Sequence, residues 1–240
     1  MEQQFALVTG GTSGIGLATA LAFREKGYSV LATGVLDEEI ESCLGQPALK
    51  AIGFQQLDVR DDHQVEALFR ALPSLDVLVN CAEVGRSGDD FETAAFTRTV
   101  DINLHGTMRC CYAARPLLAQ RGGAIVNIAS MMSFFGSGTG PAYAASKGAV
   151  AQFTKSLAVA WAGDGIRTNA VAPGWVDTPM TRALQEDNDY NARVLARSPL
   201  KRWGKPNEIA EAIAFLASPG ASFINGVILP VDGGYLITGV

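Results

Sequence analysis

Thr9-Gly10-Gly11-Thr12-Ser13-Gly14-Ile15-Gly16 follows the apolar run Phe5-Ala6-Leu7-Val8 and leads into Leu17-Ala18-Thr19-Ala20-Leu21-Ala22-Phe23. The order is strand, glycine-rich turn, helix. Glycines allow the tight turn and let backbone approach a pyrophosphate, which then rests on the free N–H groups of the helix N-terminus. The Gly-Lys-Ser/Thr ending of a nucleotide-hydrolysing loop is absent from the stretch. Such a turn also occurs as plain structure, but its place in the first strand–helix unit favours dinucleotide binding.

Working outward, β-rich apolar runs alternate with helical patterns along the whole chain. Strands are expected at residues 5–9, 29–33, 51–57, 77–81, 124–130, 167–172 and 227–231. Helices are expected at 15–26, 37–44, 61–71, 93–121, 141–161 and 207–216. Runs such as Val77-Leu78-Val79 are continuously apolar, as suits strands buried on both faces of a parallel sheet. Strand–helix alternation throughout predicts an α/β fold: a single-domain, Rossmann-like, doubly wound parallel sheet of about seven strands flanked by helices. No linker or repeat divides residues 1–240, so one dinucleotide-binding catalytic domain is expected. Residues 175–206 are polar and irregular after a strand, and 177–199 is the expected substrate lid.

Composition narrows the class. The chain has 240 residues, of which 48% are hydrophobic, and a net charge of −5 without a basic run, which argues against a nucleic-acid surface. No apolar stretch reaches the length of a membrane span. The start lacks a basic segment followed by an apolar one, so a cytoplasmic protein is expected. Cys43, Cys81, Cys110 and Cys111 match no zinc spacing and are expected to be reduced thiols. With only two histidines, His63 and His105, neither a metal site nor a Ser-His-Asp hydrolase is expected.

The chemistry is concentrated in Tyr143-Ala144-Ala145-Ser146-Lys147, with Ser130 upstream at the end of Gly123-Ala124-Ile125-Val126-Asn127-Ile128-Ala129. Residues i and i+4 share a helix face, so Tyr143 and Lys147 can point into one site. An ammonium nearby favours the phenolate and is expected to lower the Tyr143 pKa toward the range of a working acid or base. A serine hydroxyl can hydrogen-bond a carbonyl or alkoxide oxygen while the phenol moves its proton. Alone, Tyr-x-x-x-Lys arises by chance roughly one time in eight in such a chain, so its neighbours matter.

Taken together these residues resemble the short-chain dehydrogenase/reductase family in its short, one-domain form, across essentially the entire chain. The Thr-Gly-x-x-x-Gly-x-Gly loop is met by Thr9, Gly10, Gly14, Ile15 and Gly16. Asp58-Val59 matches the pair after the third strand that holds adenine, and Asn80-Cys81-Ala82 the Asn-x-Ala element after the fourth. Asn103 matches the helical asparagine, and Ser130, Tyr143 and Lys147 the catalytic set. Pro173-Gly174-Trp175-Val176-Asp177-Thr178 matches the Pro-Gly-x-x-x-Thr cradle of the nicotinamide end.

The resemblance implies an NAD(P)-dependent oxidoreductase that interconverts a ketone and a secondary alcohol by hydride transfer. In it Tyr143 exchanges the proton and Ser130 orients the substrate oxygen. Lys147 tunes Tyr143 and holds the nicotinamide ribose, and Asn103 holds a water on a proton path from Lys147. The implied cofactor residues are Gly10, Thr12, Ser13, Gly14, Ile15, Gly16, Gly34, Val35, Asp58, Val59, Asn80, Ala82, Tyr143, Lys147, Pro173, Gly174, Val176 and Thr178. For Asn80 a second reading stays open, in which it ties a loop to neighbouring strands. Relatives assemble through two long helices and the C-terminal segment, which implies a homodimer or homotetramer here.

Two departures bear on the cofactor. Gly34 and Val35 stand where the family places an acid for NAD ribose or a base for the NADP phosphate. With no cation in Gly34-Val35-Leu36 and three acids following, Asp37-Glu38-Glu39, NAD(H) is expected over NADP(H), with Arg60 the residue that could reverse this. Glu83 replaces the glycine that ordinarily ends the Asn-x-Ala element, so a long anionic side chain is expected to crowd or repel the cofactor, or to swing to solvent.

The expected substrate is a small-molecule ketone or secondary alcohol, apolar on at least one side. Met131, Met132, Phe134 and Phe135 are read first as packing residues. Candidate contacts are Met131, Phe135, Trp175, Met180, Leu184 and Tyr190. Resemblance to 3-oxoacyl-carrier-protein reductases and to sugar or polyol dehydrogenases is about equal. A cofactor-binding protein that has lost catalysis is the other class, but such proteins usually lose the tyrosine or the lysine, and both are present.

Overall fold

The computed structural model describes residues 3–85 and 89–239. Its strands are β1 (Phe5–Thr9), β2 (Ser29–Gly34), β3 (Ile52–Gln56), β4 (Val77–Asn80), β5 (Ala124–Ile128), β6 (Arg167–Pro173) and β7 (Ile228–Val231). All pair in parallel in one sheet of order β3-β2-β1-β4-β5-β6-β7. The chain winds outward in one direction from β1 to β3, then in the other from β4 to β7. The reversal between β1 and β4 opens a crevice at their carboxyl ends, where open α/β sheets take ligands.

Nine α-helices are described: α1 (Gly14–Glu25), α2 (Asp37–Leu44), α3 (Asp62–Ala71), α4 (Thr93–Val100), α5 (Thr107–Ala119), α6 (Pro141–Ala160), α7 (Arg182–Glu186), α8 (Asn188–Arg197) and α9 (Pro206–Ala217). Alternate side chains of a strand point to opposite faces, and the two core layers follow that period. Ala6, Val8, Val77, Val79, Ala124 and Val126 join Phe23 of α1 and Ile213 of α9 on one face. Leu7, Leu78 and Ile125 join Phe69 of α3 and Leu118 of α5 on the other. The chain therefore folds as a single-domain, Rossmann-like α/β sheet. At the start of β6, next to the edge strand β7, Arg167 donates to the carbonyls of Leu216 (2.7 Å) and Ala217 (3.1 Å), satisfying acceptors that the end of α9 leaves open.

Two elements differ from the sequence reading. The helix expected at 93–121 is interrupted by a widened π-type turn, Asp101–Gly106, between α4 and α5. A Cβ on Gly106 would lie 2.5 Å from Val59 Cγ2, so the turn packs tightly against the loop after β3. Such turns recur at functional sites, and this one carries Asn103. The stretch expected to be irregular, 175–206, instead folds locally into α7 and α8. Asp187 begins α8 by accepting from the Tyr190 backbone N–H at 3.0 Å.

Candidate active site

The glycine loop lies at the sheet reversal, opposite the end of β4. Gly10 and Gly14 have φ of +62° and +52°, which other residues rarely adopt. A Cβ on Gly10 would fall 2.7 Å from the Ala82 backbone. Ser13, at the N-cap of α1, makes no side-chain capping bond, so the first amides of the helix stay available to an anion. These features line a cleft of about 490 Å³ that also takes in Gly34, Val35, Asp58, Val59, Ala82 and Thr178. The bare glycine turn and uncapped helix end fit a dinucleotide pyrophosphate.

Other expected cofactor residues lie elsewhere. Asn80 is buried, and its amide donates to Asn127 Oδ1 (2.9 Å) and Cys111 Sγ (3.3 Å), tying β4 to β5 and α5. These are the bonds that the strand-tying reading expects. Val176 is packed into the core. Gly174 leaves room for Asp232, whose Cα would be 2.7 Å from a Cβ there.

At the end of β2 the sequence missed a residue. Gly34 is bare because Thr12 fills its side-chain space, and Thr12 Oγ1 donates to Glu39 Oε2 at 2.7 Å. Glu39 reaches the cleft from α2, five positions beyond Gly34. Arg60 also lines the cleft, but its guanidinium is bound to Asp58, Nη2 to Oδ2 at 2.5 Å and Nε to Oδ1 at 2.9 Å. Those bonds hold the Asp58 carboxyl below its usual range.

The residues expected to move the proton, Ser130, Tyr143 and Lys147, come from two elements, the turn after β5 and α6. Ser130 ends the chain leaving β5 and caps a short turn, accepting from the Met132 N–H at 3.1 Å. Tyr143 and Lys147 stand one turn apart on α6, with Nζ 5.5 Å from the centre of the Tyr143 ring. The Ser130 side chain lies close enough to the Tyr143 hydroxyl to favour its ionised form. Lys147 is only 2% exposed and donates to the Ile128 carbonyl at 2.7 Å. Buried ammonium groups are stable only when paired, and its ionic partner is Glu83.

Glu83 thus neither swings to solvent nor merely borders the cleft. Oxygen Oε2 pairs with Lys147 Nζ and accepts from the Tyr143 hydroxyl at 3.5 Å. This corrects the expectation that Lys147 draws the phenol pKa down. Burial, then the Glu83 charge, push it well above its usual value, and the nearby Ser130 side chain offsets only part of the rise. With Glu83 in contact, the lysine charge is spent on a carboxylate instead of on the phenol.

Asn103 also has its side chain engaged. Its Oδ1 accepts from the Val84 N–H at 2.8 Å, while Nδ2 donates to the Val84 carbonyl (3.0 Å) and to Ser146 Oγ (3.1 Å). The amide therefore clamps the chain just after Glu83 to α6. Its backbone carbonyl accepts from Thr107 Oγ1 at 2.8 Å.

Among the candidate substrate contacts, Met131 is buried. Trp175 packs edge-on against Tyr190 at 5.4 Å and Trp203 at 5.6 Å. Phe135 stacks with Tyr235, and Arg197 lies 5.1 Å and 4.4 Å over those two rings. Met180 lines the cleft near Gly85, where a Cβ would be 3.2 Å from its sulfur. Leu184 lies on α7, half-buried.

A family described as enoyl-(acyl carrier protein) reductase matches residues 10–236. The chain is 42% identical to cis-4-hydroxycyclohexanecarboxylate dehydrogenase of Sinomonas cyclohexanicum, covering 97% of this chain and 96% of that one. It is 37% identical to 3-oxoacyl-[acyl-carrier-protein] reductase of Thermotoga maritima over 99% of both. The gluconate 5-dehydrogenase of Burkholderia cenocepacia, solved with NADP and tartrate, superposes with a TM-score of 0.92 at 33% identity, over 100% of this chain and 97% of that one. The chain belongs to the short-chain dehydrogenase/reductase family. It is an oxidoreductase acting on CH–OH groups with a nicotinamide cofactor. Among the described residues no helix is long and apolar enough to cross a membrane.

Proposed function

We propose that the enzyme interconverts a secondary alcohol and a ketone on a small carbon skeleton, with NAD(H) preferred. The observation that carries the reaction is Tyr143 and Lys147 one turn apart on α6, Nζ 5.5 Å from the ring centre, with the turn that Ser130 caps bound to the same helix through Ser133 Oγ and the Lys147 carbonyl at 2.7 Å. Ser130 and Tyr143 hold the substrate oxygen, and Tyr143 gives it a proton in reduction or removes one in oxidation. The bound dinucleotide supplies or accepts the hydride. Gly10, Gly14 and Gly16 admit its pyrophosphate to the start of α1, while Lys147 holds the nicotinamide ribose.

The preference for NAD(H) rests on Glu39. Its carboxylate, aligned by Thr12, faces the same end of the cleft as Val35, where it suits ribose hydroxyls and disfavours a dianionic phosphate. Arg60, the cation that could reverse this, is engaged by Asp58. Arg197 places a positive charge on the Phe135–Tyr235 stack, which suits a carboxylate on the substrate. The named test is loss of reduced-nicotinamide absorbance with 4-oxocyclohexanecarboxylate, its methyl ester, a keto-sugar acid and a 3-oxoacyl thioester. Consumption of NADH with the free acid, at least tenfold over its ester, is expected. Faster turnover with NADPH would overturn the cofactor assignment, and inertness toward all four ketones the substrate class.

Self-association has support in apolar side chains left open on α6 and near the C-terminus: Val159, Phe215, Phe223 and Ile237 are exposed. A homodimer or homotetramer is the proposed state, and light scattering at a monomer mass would exclude it.

A further inference from the structure

One carboxylate oxygen engages both Lys147 and Tyr143, at a position where the family resemblance leads one to expect glycine. We propose that Glu83 is a carboxylate latch: in the cofactor-free enzyme it holds the Lys147 ammonium that the nicotinamide ribose needs, and it must turn away for the dinucleotide to bind. The inference rests on the assignment of Lys147 to that ribose.

Three observations point the same way. Glu83 lines the cofactor cleft, between Ala82 and Val84. Lys147 already donates to the Ile128 carbonyl, so a further strong acceptor competes for the same few donor positions on Nζ. The Glu83 side chain is 14% exposed, so the pair is shielded from solvent and its attraction is little screened. Releasing the latch also changes the phenol, because the Lys147 charge is then no longer spent on Glu83. Cofactor occupancy and readiness of Tyr143 are thereby coupled through one side chain.

Charged or titratable groups around the phenol come from each packed element. Glu83 and Cys81 follow β4, Lys147 lies on α6, and Asp90 accepts from the Tyr143 backbone N–H at 3.4 Å. Among the described residues only Glu83 places a carboxylate oxygen on the hydroxyl.

The test uses Glu83→Gln and Glu83→Gly, the latter restoring the family residue in case the amide packs badly. Dissociation constants for NADH and NADPH are measured by fluorescence, and phenol ionisation is followed at 295 nm without cofactor, with Tyr143→Phe as the blank. Both variants should bind the preferred dinucleotide at least tenfold more tightly, and the Tyr143 titration should move to lower pH. Glu39→Gln removes an equal charge from the same cleft and should leave the phenol titration in place. Unchanged or weaker binding in both Glu83 variants overturns the latch, as does a phenol titration that does not move. Tightening of NADPH alone leaves the latch standing and removes the NAD assignment. If neither dinucleotide binds any of the proteins, the latch and the assignment of Lys147 to the ribose fall together.

Discussion

Tyr143→Phe should lower kcat by about two to four orders of magnitude, the usual contribution of a positioned acid or base. The dissociation constant for the dinucleotide should stay within about twofold of wild type, because the hydroxyl lies beside the Ser130 turn and not in the glycine cleft. The sign of the pH dependence follows from the direction in which the phenol proton moves. A protonated phenol can donate to a carbonyl, so ketone reduction should decline as pH rises through the titration of Tyr143 in the loaded enzyme. Alcohol oxidation needs the phenolate and should rise with pH. Both limbs should vanish in Tyr143→Phe, leaving a flat residual rate. Comparable turnover in that variant, or unaltered pH limbs, would remove Tyr143 from the reaction.

The second large effect is expected at Gly16. A Cβ there would lie 2.0 Å from the Gly10 carbonyl oxygen, closer than any side-chain atom can rest against backbone. Gly16→Ala must therefore push the first turn of α1 away from the loop whose shape admits the pyrophosphate. The dissociation constant for NADH should rise on the order of 100-fold, about 2.7 kcal/mol. Circular dichroism and urea unfolding report whether the protein stays folded, since the rest of α1 is anchored by Ala20 and Phe23 in the core. Wild-type affinity in a folded Gly16→Ala protein would show that the glycine loop does not cradle the cofactor.

Much of this architecture is legible in the sequence, because local pattern and tertiary demand agree. Central strands such as Val77–Asn80 are wholly buried, so they read as unbroken apolar runs. Residues 175–206 read as irregular because α7 and α8 are short and polar. The capping aspartate at 187 was a usable signal. Glu39 escaped because cofactor choice is read at the strand end, whereas this carboxylate arrives from the following helix. The Glu83 contacts escaped for another reason: Tyr143 lies 60 positions away, and no local spacing encodes a meeting between the chain leaving β4 and the start of α6. Its presence as an odd residue was visible, its partners were not.

The Asn103 clamp on Val84 carries a consequence for time rather than affinity. With both backbone polar groups of Val84 held by one amide, the chain beside Glu83 has little freedom to hinge. Release of Lys147 then comes down to rotation about the side-chain bonds of a single glutamate. Rotamer hops of that kind belong to a far quicker regime than the microsecond-to-millisecond swings of lids and domains. The enzyme can change the state of its acid without moving its frame, so the tempo of opening is set by torsion in one residue.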